Sequence, residues 1–275
     1  MEVRPMMAGD LEPALTGIAN GGGGDRRQLF HFYFNHPACH QLVAVIDGVV
    51  AGTVVATSNG KTGWLGSVFV MPAGRRQGIG TALTRAAVQY LQQLGCGTIV
   101  LLASPYGRPI YERLGFRAIA YYPILAGPAL QTCPQYPQLT RMTLRDLPQI
   151  YKLDRHATGE DRSKLLSALG TAGWVVSDRN GKLRGYHIPT AWGEGPIVAT
   201  DPEAGQVLMA VSRVRGGTGS QAFVRYCLPM ENAVGRNYLA EAGFQEVRLQ
   251  TRMVLGEDLE WQANEIWGLL NMGLG

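Results

Sequence analysis

The chain has little of what marks several large protein classes. Only four of its 275 residues are cysteine: Cys39, Cys96, Cys133 and Cys227. No Cys-x-x-Cys pair occurs, which argues against a zinc knuckle or a dithiol redox motif. Charged residues make up 17%, and Lys plus Arg (25) exceeds Asp plus Glu (21) by only four. There is no polybasic run, so nucleic acid is not an expected partner. The small cationic excess fits an anionic small ligand or chance. The longest apolar run, residues 99–103, is far too short to span a bilayer. The first residues, Met1-Glu2-Val3-Arg4-Pro5, carry no apolar leader region. His31, His36 and His40 fit no tight ligand spacing, so no metal is expected. Together these absences predict a reduced, soluble, cytoplasmic protein with no membrane partner.

What is present is a chain 46% hydrophobic, long enough to bury two modest cores or one large one. The stretch that organises it is residues 66–81. An apolar strand ends at Pro72, and an arginine- and glycine-bearing loop follows. A helix then starts near Gly80, with Leu83, Ala87, Leu91 and Leu94 at the spacing of an apolar face. Strand, basic glycine loop and helix start make an anion site, because the first amides of a helix lack partners and carry the positive dipole end.

Around it the order of elements predicts a mixed α/β fold. A short strand at Val3 precedes a helix with Asp10 as N-cap, and residues 21–24 form a four-glycine loop. Residues 27–34 read as a second helix. A hairpin turns at Asp47-Gly48, and a further turn falls at Asn59-Gly60. The main helix stops at Gly95, residues 98–103 form a buried strand, and a short helix from Pro109 stops at Gly115.

Residues 125–138 hold three prolines and read as a linker, so residues 1–124 form one domain and 139–257 another, with a tail at 258–275. The second domain repeats the first in weaker form. Residues 232–244 echo 104–116, with Gly243-Phe244 in register with Gly115-Phe116.

Two motifs carry a resemblance. Arg75-x-x-Gly78-x-Gly80 after Val68-Phe69-Val70, followed by Tyr111-Glu112-Arg113-Leu114-Gly115-Phe116, resembles the GNAT superfamily of acyl-CoA-dependent N-acyltransferases. The chain looks like a two-domain bacterial GNAT protein: tandem GNAT-like domains in an α/β (α+β mixed sheet) fold, the second degenerate. The resemblance implies acetyl-CoA as cosubstrate, a small-molecule or peptide amine as acceptor, and direct attack in a ternary complex.

It assigns the pyrophosphate to the amides of Arg76, Gln77, Gly78, Ile79, Gly80 and Thr81, with Arg75 or Arg76 adding charge. The thioester carbonyl falls to a backbone N–H of Phe69 or Val70, on the strand that includes Val68. The leaving thiolate falls to Tyr111. Phe30 and Tyr33 lie where the family places its acceptor helices, and they either line that pocket or fill the core. Asp161 and Arg162, in Gly159-Glu160-Asp161-Arg162, either reach an acceptor or pair within their own domain.

In the second domain Glu203 stands where the loop would be, Leu239 aligns with Tyr111, and no Arg-x-x-Gly-x-Gly occurs, so no such cofactor site is expected there. No general base is named by the residues; Asp25, Asp47, His31, His36 and His40 are candidates by type alone. A CoA-binding module without turnover is the alternative, and a homodimer is an open assembly.

Overall fold

The computed structural model describes residues 1–132, 135–193, 195–214 and 223–275. The chain divides into two compact units. The first comprises Met1–Ile119, Arg252–Asp258 and Gly273–Gly275; the second comprises Ala120–Thr251 and Leu259–Met272.

In the first unit the elements are β1 (Glu2–Pro5), α1 (Leu11–Ile18), α2 (Arg27–Asn35), β2 (Cys39–Ile46), β3 (Val49–Asn59), β4 (Thr62–Val70), α3 (Ile79–Gln93), β5 (Thr98–Ala103) and α4 (Arg108–Arg113). β1 to β4 are antiparallel neighbours in sequence order, and β5 joins β4 in parallel. The Asp47-Gly48 turn is formed as expected, both residues having positive φ (49° and 80°). The next turn lies one residue later than Asn59-Gly60, because β3 runs through Asn59 and pairs it with Thr62.

α3 covers one face of the sheet. Leu83, Ala87 and Leu91 bury against Val54, Ala56, Leu65, Ile99 and Leu101. Leu94 departs from the expected stripe: it is 50% exposed, since α3 gives way there to the C-terminal turn closed by Gly95 at φ 81°. The opposite face presents Gln41, Val43 and Val55 by the two-residue alternation of a strand. α2 lies on it, with the Gln41 amide donating to the Phe30 carbonyl at 2.9 Å.

Asp10 does not cap α1 in the expected way. Its carboxylate turns back to accept from the Met7 N–H (2.8 Å) and from both Arg4 amino groups (2.6 and 2.9 Å). The glycine run is not a plain loop either. Ala19–Gly23 continues α1 as one π-type turn, broken at Gly22 (φ 87°).

The second unit contains β6 (Arg117–Pro128) from Ala120 onward, β7 (Leu139–Arg141), α5 (Leu147–Thr158), α6 (Ser163–Ala168), β8 (Trp174–Ser177), β9 (Leu183–His187), β10 (Ile197–Ala199), α7 (Pro202–Ser212), β11 (Phe223–Cys227), α8 (Ala233–Glu241), β12 (Gln245–Gly256) as far as Thr251, and β13 (Ile266–Gly268). One antiparallel sheet has the order β13-β10-β9-β8-β7. α7 packs Val207 and Leu208 with Val176, Ile197, Ala199 and Trp267. Gly205 is glycine for this packing, since a Cβ there would lie 2.1 Å from the Trp267 ring.

The sequence echo is real in local geometry. Gly115 and Gly243 have φ 89° and 84°. Phe116 N–H donates to the Tyr111 carbonyl (3.0 Å), and Phe244 N–H donates to the Leu239 carbonyl (2.9 Å).

Two boundaries differ from expectation. The linker set at 125–138 begins too early: β6 continues to Pro128 because residues Ile124 to Pro128 pair with β11. Of the expected linker residues, Cys133 and Pro134 lie outside the described residues. The domain set at 1–124 ends at Ile119 and regains chain from the far end. The last part of β12 lies beside β5, with Thr98 Oγ1 donating to the Glu257 carbonyl at 3.1 Å. The expected tail also contributes to both units, β13 to the second and Gly273–Gly275 to the first.

Gly273 runs directly over Gly66 of β4, where a Cβ would stand 2.2 Å from the Gly273 Cα. Gly66→Ala is therefore expected to lower unfolding free energy by about 1–3 kcal/mol through overpacking. Urea denaturation checks this; unchanged stability would show that the two backbones part at no cost.

Candidate active site

The site begins where two strands part. β4 and β5 pair from Thr62–Thr98 to Leu65–Leu101 and no further. Past Leu65, β4 keeps only its antiparallel neighbour β3. Met71 N–H donates to the Ala51 carbonyl of β3 at 2.9 Å. In an antiparallel ladder successive residues alternate between facing the neighbour and facing away. Phe69 therefore points its N–H to β3, and Val70 points its N–H to the side that β5 has left. The Val70 carbonyl turns the same way and lies 3.5 Å from Arg75 Nε. Of the two N–H groups expected to meet the carbonyl, that of Val70 faces the opened side. Val68 and Val70 pack their side chains against the α3 core.

A bulge sets this direction. Gly66 opposes Val55 and Phe69 opposes Thr53, so β4 carries one residue more than β3 between them. Ser67 sits in the bulge at φ 49°. A non-glycine residue there costs roughly 1–2 kcal/mol. Thr53 Oγ1 donates to the Ser67 carbonyl (3.0 Å), and Ser67 Oγ donates to the Tyr33 hydroxyl (3.2 Å). Tyr33 and Phe30 are fully buried, ring edge against ring face at 5.7 Å. They fill the core beneath the sheet.

After Met71 a 3-10 turn, Pro72–Gly74, leads into the loop. Arg76 and Gly78 both have positive φ (64° and 78°). Alternation of this kind turns successive amides to one concave side and makes an anion site. α3 then starts from Gly78, which has no side chain to cap the first-turn amides. Nothing lies within 4 Å of where a Gly78 Cβ would stand. These features fit a pyrophosphate.

Ile79 is buried in the core, and Thr81 is half-buried in the first turn. The Gln77 amide bonds back to the Ala73 carbonyl (2.9 Å), so its side chain shapes the loop. Arg75 reaches the Gly21 carbonyl at 3.4 Å, and Arg76 is exposed. The glycine turn thus lies against this site, with Gly23 so close to Phe69 that a Cβ would meet its ring at 3.0 Å. The sequence signalled the run of glycines but not its address.

Tyr111 projects from α4 into the same core and packs edge-on against Phe116 (5.9 Å). Burial pushes its hydroxyl up to about 12. The native state therefore holds this proton more tightly than the unfolded chain does. The resulting stabilisation is complete below pH 10.0 and is lost as pH rises toward about 12.

The second unit builds the corresponding helix start in the opposite way. Asp201 caps α7, accepting from Ala204 N–H at 3.0 Å. Arg184 closes over it, bonded to Asp201 (2.8 and 2.6 Å) and Glu203 (2.8 Å). The amides and charges that would meet an anion are already matched internally.

Asp161 and Arg162 both find partners within the second unit. Asp161 accepts from Ser163 Oγ (2.7 Å) and pairs with Arg155 (2.6 Å). Arg162 is buried and bidentate to Asp154, which also accepts from the Tyr186 hydroxyl. A guanidinium with 2% of its side chain exposed and both carboxylate oxygens engaged is a structural ion pair.

The base candidates are dispersed. His36 stacks on Phe32 and accepts from Ala38 N–H (3.1 Å). His40 stacks on Tyr90, and burial lowers its pKa. Asp25 caps Arg27 N–H (2.9 Å), and Asp47 occupies its hairpin turn. Burial raises the Cys39 thiol to about 12 and raises that of Cys96, which disfavours either as a nucleophile. Among the described residues no three His, Cys, Asp or Glu side chains are placed to hold a metal, and no helix is long and apolar enough to cross a membrane.

Comparison with known proteins agrees with this geometry. Residues 12–116 match the Acetyltransferase (GNAT) family, and residues 150–268 match an Acetyltransferase (GNAT) domain. A candidate acetyltransferase from Pyrococcus horikoshii has a TM-score of 0.84 at 19% identity, over 100% of this chain and 95% of that one. A tandem GNAT protein from the clavulanic acid biosynthesis pathway gives 0.62 at 15% identity, over 94% and 99%. A GCN5-related N-acetyltransferase from Sphaerobacter thermophilus gives 0.62 at 16% identity, over 94% and 97%. Identities this low speak to fold alone. No curated protein sequence matches. With one family matched in each half and the tandem fold shared end to end, the chain belongs to the GNAT acetyltransferases and carries a GNAT domain in each half.

Proposed function

We propose that the first unit transfers an acetyl group from acetyl-CoA to a primary amine by direct attack in a ternary complex. One observation carries this reading: β4 leaves β5 after Leu65, turns the Val70 N–H to the open side, and runs straight into an uncapped, left-handed anion loop.

In this reading the amides of residues 76–81 hold the pyrophosphate, and Arg75 and Arg76 add charge-assisted contacts. The Val70 N–H donates to the thioester carbonyl oxygen as it gains negative charge, a contribution of roughly 3 kcal/mol. The amine nitrogen bonds to the carbonyl carbon, the C–S bond breaks, and the sulfur leaves with the electron pair. Tyr111 donates a hydrogen bond to that sulfur. A phenol near 12 transfers its proton to a thiolate of ordinary pKa about 8.5 only uphill, so its role is stabilisation by hydrogen bonding. The amine must arrive neutral, and its proton leaves to water. A buried thiol at about 12 makes Cys39 a poor acyl carrier and favours direct transfer.

Four outcomes are expected. Mixed with acetyl-CoA and a panel of small and peptide amines, the protein releases thiol and yields an N-acetylated product; CoA binding with no release from any amine would instead establish a binding module. Tyr111→Phe lowers kcat by roughly 10- to 100-fold while the calorimetric Kd for CoA stays within about twofold. The wild-type rate shows no falling limb from Tyr111 below about pH 11, because burial keeps that proton in place; a Tyr111-dependent fall near pH 9 would contradict the raised pKa. Calorimetry also gives one CoA per chain, since Asp201 and Arg184 fill the second helix start; two equivalent sites would contradict this.

A further inference from the structure

The bulge in β4 needs something to hold it. Ser67 is an L-residue in the left-handed region, at φ 49°. Relaxed to an extended conformation, it would let β4 slip one residue against β3. A one-residue slip exchanges the two sides of a strand. The Val70 N–H would then face β3, and the Phe69 N–H would take its place with a different side chain behind it.

Three contacts oppose the slip. Gly273 lies over Gly66, the residue before the bulge. Thr53 Oγ1 holds the Ser67 carbonyl at 3.0 Å. The Tyr33 hydroxyl accepts from Ser67 Oγ at 3.2 Å. The first two come from the backbone of the same unit and from the strand next door. The third comes from α2, on the far face of the sheet. Tyr33 has no exposed surface, its ring is fixed against Phe30, and its helix is tied to β2 through the Phe30 carbonyl and Gln41. Its hydroxyl is therefore a rigid acceptor at a set position, suited to hold a hydroxyl in one rotamer and the bulge in one register.

We infer that Tyr33 is a positioning residue for acyl transfer, acting through Ser67 to keep the Val70 N–H aimed at the reacting carbonyl. This rests on the function proposed above. It also alters the part assigned to Tyr33: the side chain does not line an acceptor pocket but braces the strand that polarises the donor.

A double-mutant cycle tests it. Glycine adopts φ 49° without strain, so Ser67→Gly keeps the bulge while removing the need for a brace. In the wild-type background Tyr33→Phe, which removes one oxygen and keeps the ring, is expected to lower kcat about fivefold, with the amine KM within about twofold. In the Ser67→Gly background the same change is expected to lower kcat by less than about twofold. An equal loss in both backgrounds, or no loss in the wild type, overturns the inference. A second arm needs no turnover. Backbone amide shifts of residues 67–70 move on Tyr33→Phe in the wild type and stay still on Tyr33→Phe in Ser67→Gly; movement in both backgrounds, or in neither, overturns the inference independently. If no amine is acetylated, the proposed function fails while the amide shifts still decide whether Tyr33 acts through Ser67.

Discussion

The parting of β4 from β5 is the constraint on which the rest of the first unit depends. A parallel pair satisfies its backbone groups along its whole length unless something ends it. Here pairing ends at Leu65–Leu101, and the bulge at Ser67 follows two residues later. The backbone groups released from the ladder are not left in apolar surroundings: the Val70 carbonyl meets Arg75, and its N–H turns to the opened side. One local irregularity thus supplies a directed donor, a gap beside it, and the exit angle that delivers the chain into the loop before α3. The neighbouring glycines answer to the same event. Gly66 lets the Gly273 backbone press on β4, and Gly23 leaves space for the Phe69 ring.

The two units show how little separates a helix start that can receive an anion from one that cannot. α3 begins at a glycine in the left-handed region, with no side-chain cap and two arginines just before it. α7 begins at Asp201, whose carboxylate takes the Ala204 N–H, and Arg184 neutralises Asp201 and Glu203 together. Both helices satisfy the same elementary requirement, that first-turn amides find acceptors. The second finds one in the Asp201 carboxylate, whereas no side chain caps the first. Similarly, Tyr111 and Leu239 occupy matching turns and accept the same kind of backbone bond from Phe116 and Phe244, but only one carries a hydroxyl. The shared fold rests on those backbone bonds, and the chemistry proposed for the first unit adds a hydroxyl that Leu239 does not carry.

Much of the fold was legible because its signals are short. Asp47-Gly48 specifies a tight hairpin by what its φ angles allow, and Gly115 and Gly243 end their helices for the same reason. Arg75-x-x-Gly78-x-Gly80 gave the anion loop from stereochemistry within six residues. Where the reading erred, a local pattern met a distant partner. The proline-bearing run from Leu125 looked like a linker until β11 paired with its first residues. Arg162 was compatible with an acceptor contact or a pair within its own domain, and Asp154 and Tyr186 enclose it there. Phe30 and Tyr33 were equally compatible with pocket and core, and only the packing of α2 on the sheet made them core.

The sequence by itself determined most of the elements, the arginine- and glycine-bearing loop before α3, the duplication and the absence of that pattern at the start of α7. Each of these is encoded in residues close together along the chain, where torsional preference and capping decide the outcome. The tertiary structure decided which of two adjacent N–H groups points into the site, which aromatic side chain braces the strand, and where the chain's last residues lie. Those depend on strand register and on contacts between residues far apart in the chain, as between Tyr33 and Ser67 or Gly66 and Gly273, and no local pattern specifies a register.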